Sequence, residues 1–264
     1  MSKTNIVFVS VVRDVNMYRR CVSDNRHNRE SRFVSFDNRA KNEPVSTLYN
    51  RFLDGYDYSS PAWIVFCHED FEFLESFKNV VGILDISAIY GPVGGRLFCR
   101  HRWLLGGIWP GECVGRITQS DKDGGNWITF GRSVQTATIA DVLDCQCLIV
   151  HSSLVRTHHL RFDEHLSFDL YAEDFCLGAA VKYGIITRIL AIKCHHYSYG
   201  NLLPRFFEQK SYLDTKYPSE EAFSPVGHTI GGGRTPLRRL QKRLRRVMDK
   251  RCPWLVSFLF RLFG

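Results

Sequence analysis

Residues 61–74 read PAWIVFCHEDFEFL. Ala62 to Cys67 form an unbroken apolar run, and His68, Glu69 and Asp70 follow at once. A short apolar run with β-branched and aromatic side chains predicts a strand buried on both faces. Such a strand then delivers an imidazole and two carboxylates to one place. Two more strands are expected upstream, at 5–12 (NIVFVSVV) and 31–38 (SRFVSFDN). Between the second and third strands, PVSTLYNRFLDGY (44–56) spaces Val45, Leu48, Tyr49, Phe52 and Leu53 as one apolar helix face. Pro44 suits its first turn and Gly55 its end. Strand–helix–strand order with nearly unbroken apolar strands predicts an α/β fold. The expectation is a mostly parallel, Rossmann-like sheet with helices on both faces. Ligands of such sheets sit beyond the carboxyl ends of the strands. Three strand ends bring polar groups to that rim: Arg13–Asp14, Asp37–Asn38 and His68–Glu69–Asp70.

The remaining chain carries further elements. Residues 91–136 are rich in glycine and polar residues and read as loops, short strands and a flap. VLDCQCLIVHSSLV (142–155) is strand-like. A helix is predicted from Tyr171 to Gly184, a strand followed by a polar exit over 185–201, and another helix over 205–217.

The chain has 264 residues, of which 44% are hydrophobic and 13% aromatic, enough for a sizeable core. Nine scattered cysteines include no Cys-x-x-Cys pair, which argues against a zinc knuckle and for reduced, buried thiols. No signal-peptide pattern opens the chain, and no run approaches the ~20 apolar residues of a membrane span. The net charge of +8 is local. Residues 234–264 hold ten Lys/Arg and one acid, Asp249, which leaves 25 basic and 26 acidic residues elsewhere. A general nucleic-acid reading therefore fails.

A rim of His and carboxylate side chains suits a hard divalent cation, with positions open for diphosphate oxygens. The bland reading of His68–Glu69–Asp70 is a solvated strand-to-helix junction with Asp70 capping the next helix. The order of segments resembles the family-2-like glycosyltransferases of the GT-A fold, in a branch with His-x-Asp in place of Asp-x-Asp. The resemblance spans about residues 5–217. It rests on the Asp-Asn after the second strand, the helix carrying Asn50, VFCHEDFEFL, the FDE at 162–164, YAEDFCLGAAVKYG, and the closing His-x-Ser-x-Gly of HYSYGN.

That resemblance implies a single GT-A domain over 1–217, with a donor half to about 98 and an acceptor half after it. Asp14 and Asp37 would contact the nucleoside, and His68 would lie near the ribose, with Glu69 in the same donor-binding group. Asp70 would hold Mn²⁺ or Mg²⁺ directly or through water. His196 would add a metal or diphosphate contact; His195, which strand alternation points the opposite way, is the alternative. The general base would come from the acidic helix, as Asp174 beside Glu173. Ala172, however, stands where the family often has another acid, and both acids are also placed to favour the helix dipole. Asp144 would shape the acceptor side or be a buried structural residue. Asp163 and Glu164 would organise a turn.

The implied activity is inverting transfer of a hexosyl or deoxyhexosyl unit from a nucleotide sugar to a glycan or lipid-linked acceptor of a bacterial surface polysaccharide. A catalytically silent binding member is the alternative, and a basic-tail nucleic-acid binder a further one. After a linker at 218–235, residues 236–264 place Leu237, Leu240, Leu244, Val247 and Met248 at helical spacing among Arg and Lys, ahead of Pro253 and WLVSFLFRLF. Such a segment suits an anionic membrane surface. The expected location is cytoplasmic, peripheral on the inner membrane.

Overall fold

The structure, a computed structural model, describes residues 5–97, 111–199 and 202–232, and also Val247, Met248, Arg251, Cys252, Trp254 and Leu255. The strands are β1 (Ile6–Val12), β2 (Arg32–Asp37), β3 (Trp63–Cys67), β4 (Phe71–Phe73), β5 (Ile89–Gly91), β6 (Gly94–Leu97), β7 (Gly111–Val114) and β8 (Ile117–Gln119). They continue as β9 (Ile128–Phe130), β10 (Thr138–Ala140), β11 (Val142–Leu143), β12 (Cys147–His151), β13 (Thr187–Ile189), β14 (Cys194–His196), β15 (Glu221–Ser224) and β16 (His228–Gly231). Within residues 5–232 the described α-helices are α1 (Val15–Tyr18), α2 (Val45–Asp54), α3 (Lys78–Val81), α4 (Ser152–His158), α5 (Tyr171–Tyr183) and α6 (Pro204–Lys216).

A seven-stranded sheet runs in the order β10-β13-β5-β12-β3-β1-β2. The fold is α/β as expected, but the sheet is mixed. β1 pairs parallel with β2 and β3, and β5 with β13, whereas β12 runs antiparallel to both its neighbours and β10 antiparallel to β13. The reason is physical. An apolar strand such as CLIV is buried on both faces whichever way it runs, so its composition does not encode its direction.

Alternation along the strands splits the core into two. Val7 and Val9 of β1, Ile64 and Phe66 of β3, and Leu148 and Val150 of β12 face one cluster with residues of α2, α4, α5 and α6. Phe8, Val65, Cys67, Cys147 and Ile149 face the other with Met17, Tyr18 and Phe77. α2 begins after Pro44 and stops at Gly55, as its sequence dictates. α5 is buried almost all round over its first turns, which makes it the central helix.

Three expectations change. Residues 71–73 form strand β4, so Asp70 caps no helix. The span 218–235 contains a hairpin, β15–β16, with Ala222, Phe223 and Ile230 fully buried, where a linker was expected. The packing is close: a Cβ on Gly95 would lie 1.7 Å from the carbonyl oxygen of Phe223. The proposed halves also share one sheet, since β5 sits between β12 and β13. The basic segment at 236–264 lies almost wholly outside the described residues, as do 98–110 of the expected flap.

Candidate functional site

The site forms where β3 hands over to β4. His68 N–H donates to the carbonyl of Gln146 at 3.0 Å, which ties the end of β3 to the start of β12. β14 then pairs antiparallel with β4, with His196 opposite Phe71. The backbone N–H of Tyr197 donates to the carbonyl of Asp70 at 2.9 Å. Two segments more than 120 residues apart thereby bring His68, Asp70 and His196 together.

Nδ1 of His68 lies 4.0 Å from Oδ1 of Asp70, and Nε2 of His196 lies 3.2 Å from the same oxygen. One ligand atom from each of the three residues falls within 4.8 Å of the others. His196 is 6% exposed, and its buried Nε2 has Asp70 Oδ1 as its polar neighbour without meeting strict hydrogen-bond geometry. Its Nδ1 abuts the carboxamide of Gln119 at 3.3 Å. On His68, Nε2 lies 3.0 Å from Oη of Tyr171, whose hydroxyl donates to the carbonyl of Cys145 at 2.7 Å. Phe168 stacks on the His68 ring.

Charges in this group are strongly coupled. Burial alone would raise the Asp70 carboxyl, but the facing His196 and His68 outweigh it and hold it well below the carboxylate range. Burial opposes charge on His196, yet Asp70 wins and raises its pKa. For His68, burial outweighs Asp70 and the pKa falls. A carboxylate between two imidazoles, each with a ring nitrogen turned toward it, fits a divalent cation.

The other expected residues have different surroundings. Glu69 is committed to the backbone, accepting the N–H groups of Arg13 and Asp14, and so locks the tip of β3 to that of β1. Asp14 caps α1 through the N–H of Met17 and faces Lys122 at 3.3 Å. Asp37 is exposed and ion-paired with Arg39. Both stand on the rim formed by the parallel β1–β3, but their carboxylates join neither each other nor Asp70. His195 points to the opposite side of β14, bonded to Ser120 Oγ at 2.7 Å and stacked on Tyr197. As expected, Asp163 organises a turn, accepting the N–H of His165, while Glu164 receives Asn50 and Thr47.

The acids of α5 diverge. Glu173 is fully buried, receiving Ser224 Oγ at 2.8 Å and the Cys145 thiol at 3.1 Å. Burial, reinforced by nearby Asp144, pushes its carboxyl up to about 8. Asp174 accepts from Lys216 Nζ at 2.7 Å and Tyr217 Oη at 2.8 Å, and the same Lys216 ammonium also pairs with Asp163. Asp144 sits nearer the cation group: its charge acts on both His68 and His196. Its Oδ1 accepts the N–H of Gln146, and it has no cationic partner among the described residues. Asp169 also acts on His68 but is held by Arg205 at 2.8 Å.

Sequence reasoning missed Tyr171 and Gln119. Tyr171 stands in the quoted YAED and could have been noticed as the residue preceding the acids. Gln119 carried no signal, because its place beside His196 depends on the parallel pairing of β8 with β14.

No family model matches this chain, and no curated protein does. Among solved structures, the chain is similar to one described as A197 from STIV, at 11% identity and a TM-score of 0.36, over 86% of this chain and 93% of that one. A likeness at that level supports no inference about fold or chemistry. Among the described residues, no helix is long and apolar enough to cross a membrane.

Proposed function

We propose that this chain is a metal-dependent glycosyltransferase of the GT-A type, moving a sugar from a nucleotide donor to a glycan or lipid-linked acceptor with inversion. The observation that carries the proposal is the convergence of His68, Asp70 and His196 at the carboxyl ends of the parallel strands, with the buried Nε2 of His196 turned toward Asp70.

In this reading His68, Asp70 and His196 would hold the cation, whose positive charge would offset that of a departing diphosphate. Two imidazoles beside one carboxylate favour Mn²⁺ over Mg²⁺. Asp14 and Asp37, on the same rim, are the groups available to the nucleoside. A carboxylate must also take the acceptor hydroxyl's proton. Sequence placed that role on Asp174 beside Glu173. We favour Asp144 instead, because its charge acts on His68 and His196 and it has no cationic partner among the described residues, whereas Asp174 is engaged by Lys216 and Tyr217. That engagement, together with Ala172, is also what favours the second reading, a member of the fold that binds a nucleotide without transfer.

The test is nucleoside diphosphate release from a panel of nucleotide sugars with Mn²⁺. Release that persists in Asp70→Ala contradicts the metal assignment. Release lost in Asp144→Asn but kept in Asp174→Asn places the base on Asp144, and the reverse returns it to Asp174. No release from any donor, with nucleotide still bound, supports the silent reading. The basic segment at 236–264 is proposed to hold the enzyme at an anionic membrane surface, where lipid-linked acceptors lie. Co-sedimentation with anionic liposomes should then be lost on deleting 233–264, while steeply salt-dependent RNA binding lost by the same deletion would point to nucleic acid.

A further inference from the structure

We infer that Tyr171 and Gln119 are positioning residues: Tyr171 fixes the proton of His68 on Nε2, and Gln119 can accept one from Nδ1 of His196, so that with a cation bound both rings turn a lone pair toward Asp70. The inference rests on the metal reading above and adds the groups that prepare the site for its cation.

The first half follows from a count of protons. Tyr171 has one hydroxyl hydrogen, and it is donated to the carbonyl of Cys145 at 2.7 Å. Toward His68 the phenol oxygen can only accept. The 3.0 Å contact therefore requires the hydrogen on Nε2 of His68. In the neutral imidazole the lone pair is then on Nδ1. Nδ1 is the nitrogen that faces Asp70.

His196 is presented the other way round. Its Nε2 faces Asp70, so its proton must reside on Nδ1 for Nε2 to act as a ligand. Nδ1 lies 3.3 Å from the amide nitrogen of Gln119, brought alongside by the parallel register of β14 on β8, so the NH₂ end faces the ring in this structure. Gln119 is itself buried. A carboxamide can present either end. With NH₂ inward it donates to Nδ1 and leaves a hydrogen on Nε2; with oxygen inward it accepts from Nδ1–H and frees the Nε2 lone pair. A cation repels a hydrogen at Nε2 and so selects the second arrangement. Glutamine is the side chain that can hold the ring in both states. The two imidazoles thus use different nitrogens, Nδ1 and Nε2, each backed by its own partner.

Two measurements on the full chain test this. Long-range ¹H–¹⁵N correlation of the imidazoles, with Zn²⁺ as a diamagnetic probe, should show His68 protonated at Nε2 and His196 at Nδ1. A proton on Nδ1 of His68, or on Nε2 of His196 with Zn²⁺ bound, overturns the inference. In Mn²⁺ titrations followed by electron paramagnetic resonance, Gln119→Leu and Tyr171→Phe should each weaken binding about 10–100-fold. Gln119→Glu, which can only accept, should stay within about threefold of wild type. Unchanged binding in Gln119→Leu, or equal losses in Gln119→Leu and Gln119→Glu, also overturns it. If Gln119→Leu fails to fold by circular dichroism, the wild-type spectrum decides. Should the wild type bind neither ion, the metal reading itself fails and this inference goes with it; normal wild-type binding with indifferent variants refutes the positioning roles alone.

Discussion

Glu173→Gln should remove a pH dependence of stability that the wild type carries. The Glu173 carboxyl is 2% exposed and rises from 4.5 to about 8 on folding, through burial and the neighbouring charge of Asp144. The sign follows from proton counts. Between pH 4.5 and pH 8 the unfolded chain has lost this proton while the folded chain keeps it, so the folded state binds more protons and stability falls as pH rises. The contribution is fully present below pH 4.5 and has gone above pH 8. About 3.5 pKa units at 1.36 kcal/mol each give roughly 5 kcal/mol as the upper end. Glutamine has the shape of the protonated acid and can still accept from Ser224. Urea unfolding of both proteins at pH 5, 6, 7 and 8 would measure the difference. The variant should match the wild type within about 1 kcal/mol at pH 5 and gain on it by several kcal/mol at pH 8. Parallel stability profiles would refute the buried, proton-holding Glu173. The same variant should leave the proposed transferase activity unchanged, since a carboxyl sealed by Cys145 and Ser224 is no base for an incoming hydroxyl.

Two structural predictions accompany it. Gly95→Ala drives a methyl into the Phe223 carbonyl, so the β15–β16 hairpin must shift; chemical denaturation should show a loss of about 3 kcal/mol or more, and a loss under 0.5 kcal/mol would contradict the packing. Lys216→Met leaves Asp163 and Asp174 facing each other without their shared cation, one of them almost fully buried; the expected cost is about 3–5 kcal/mol, and adding Asp174→Asn should recover part of it.

What the sequence revealed follows from how local each signal is. β1, β2, α2, β3 and α5 were legible because apolar runs, helical spacing and end residues such as Pro44, Gly55 and Gly184 act within a few positions. The direction of β12 was not, since CLIV is equally buried either way. The β15–β16 hairpin hid behind a short polar-looking stretch, although Ala222, Phe223 and Ile230 fill the core. At the site, His68 and Asp70 lie two residues apart and could be read together. Bringing His196 to them required the β4–β14 pairing, for which only the motif resemblance gave a hint. The fates of Glu69, Asp14 and Asp37 depend on backbone amides and on Lys122 and Arg39, partners that a strand-end pattern does not name.

Direct titration of the full chain with Mn²⁺, by calorimetry and electron paramagnetic resonance, bears most closely on the proposed cation site. Wild type should take up one Mn²⁺ per chain, more tightly than Mg²⁺, and Asp70→Ala should bind it at least about 100-fold more weakly, through loss of the one anionic ligand between two imidazoles. Equal affinity in the two proteins, or no saturable Mn²⁺ binding by the wild type, would contradict it.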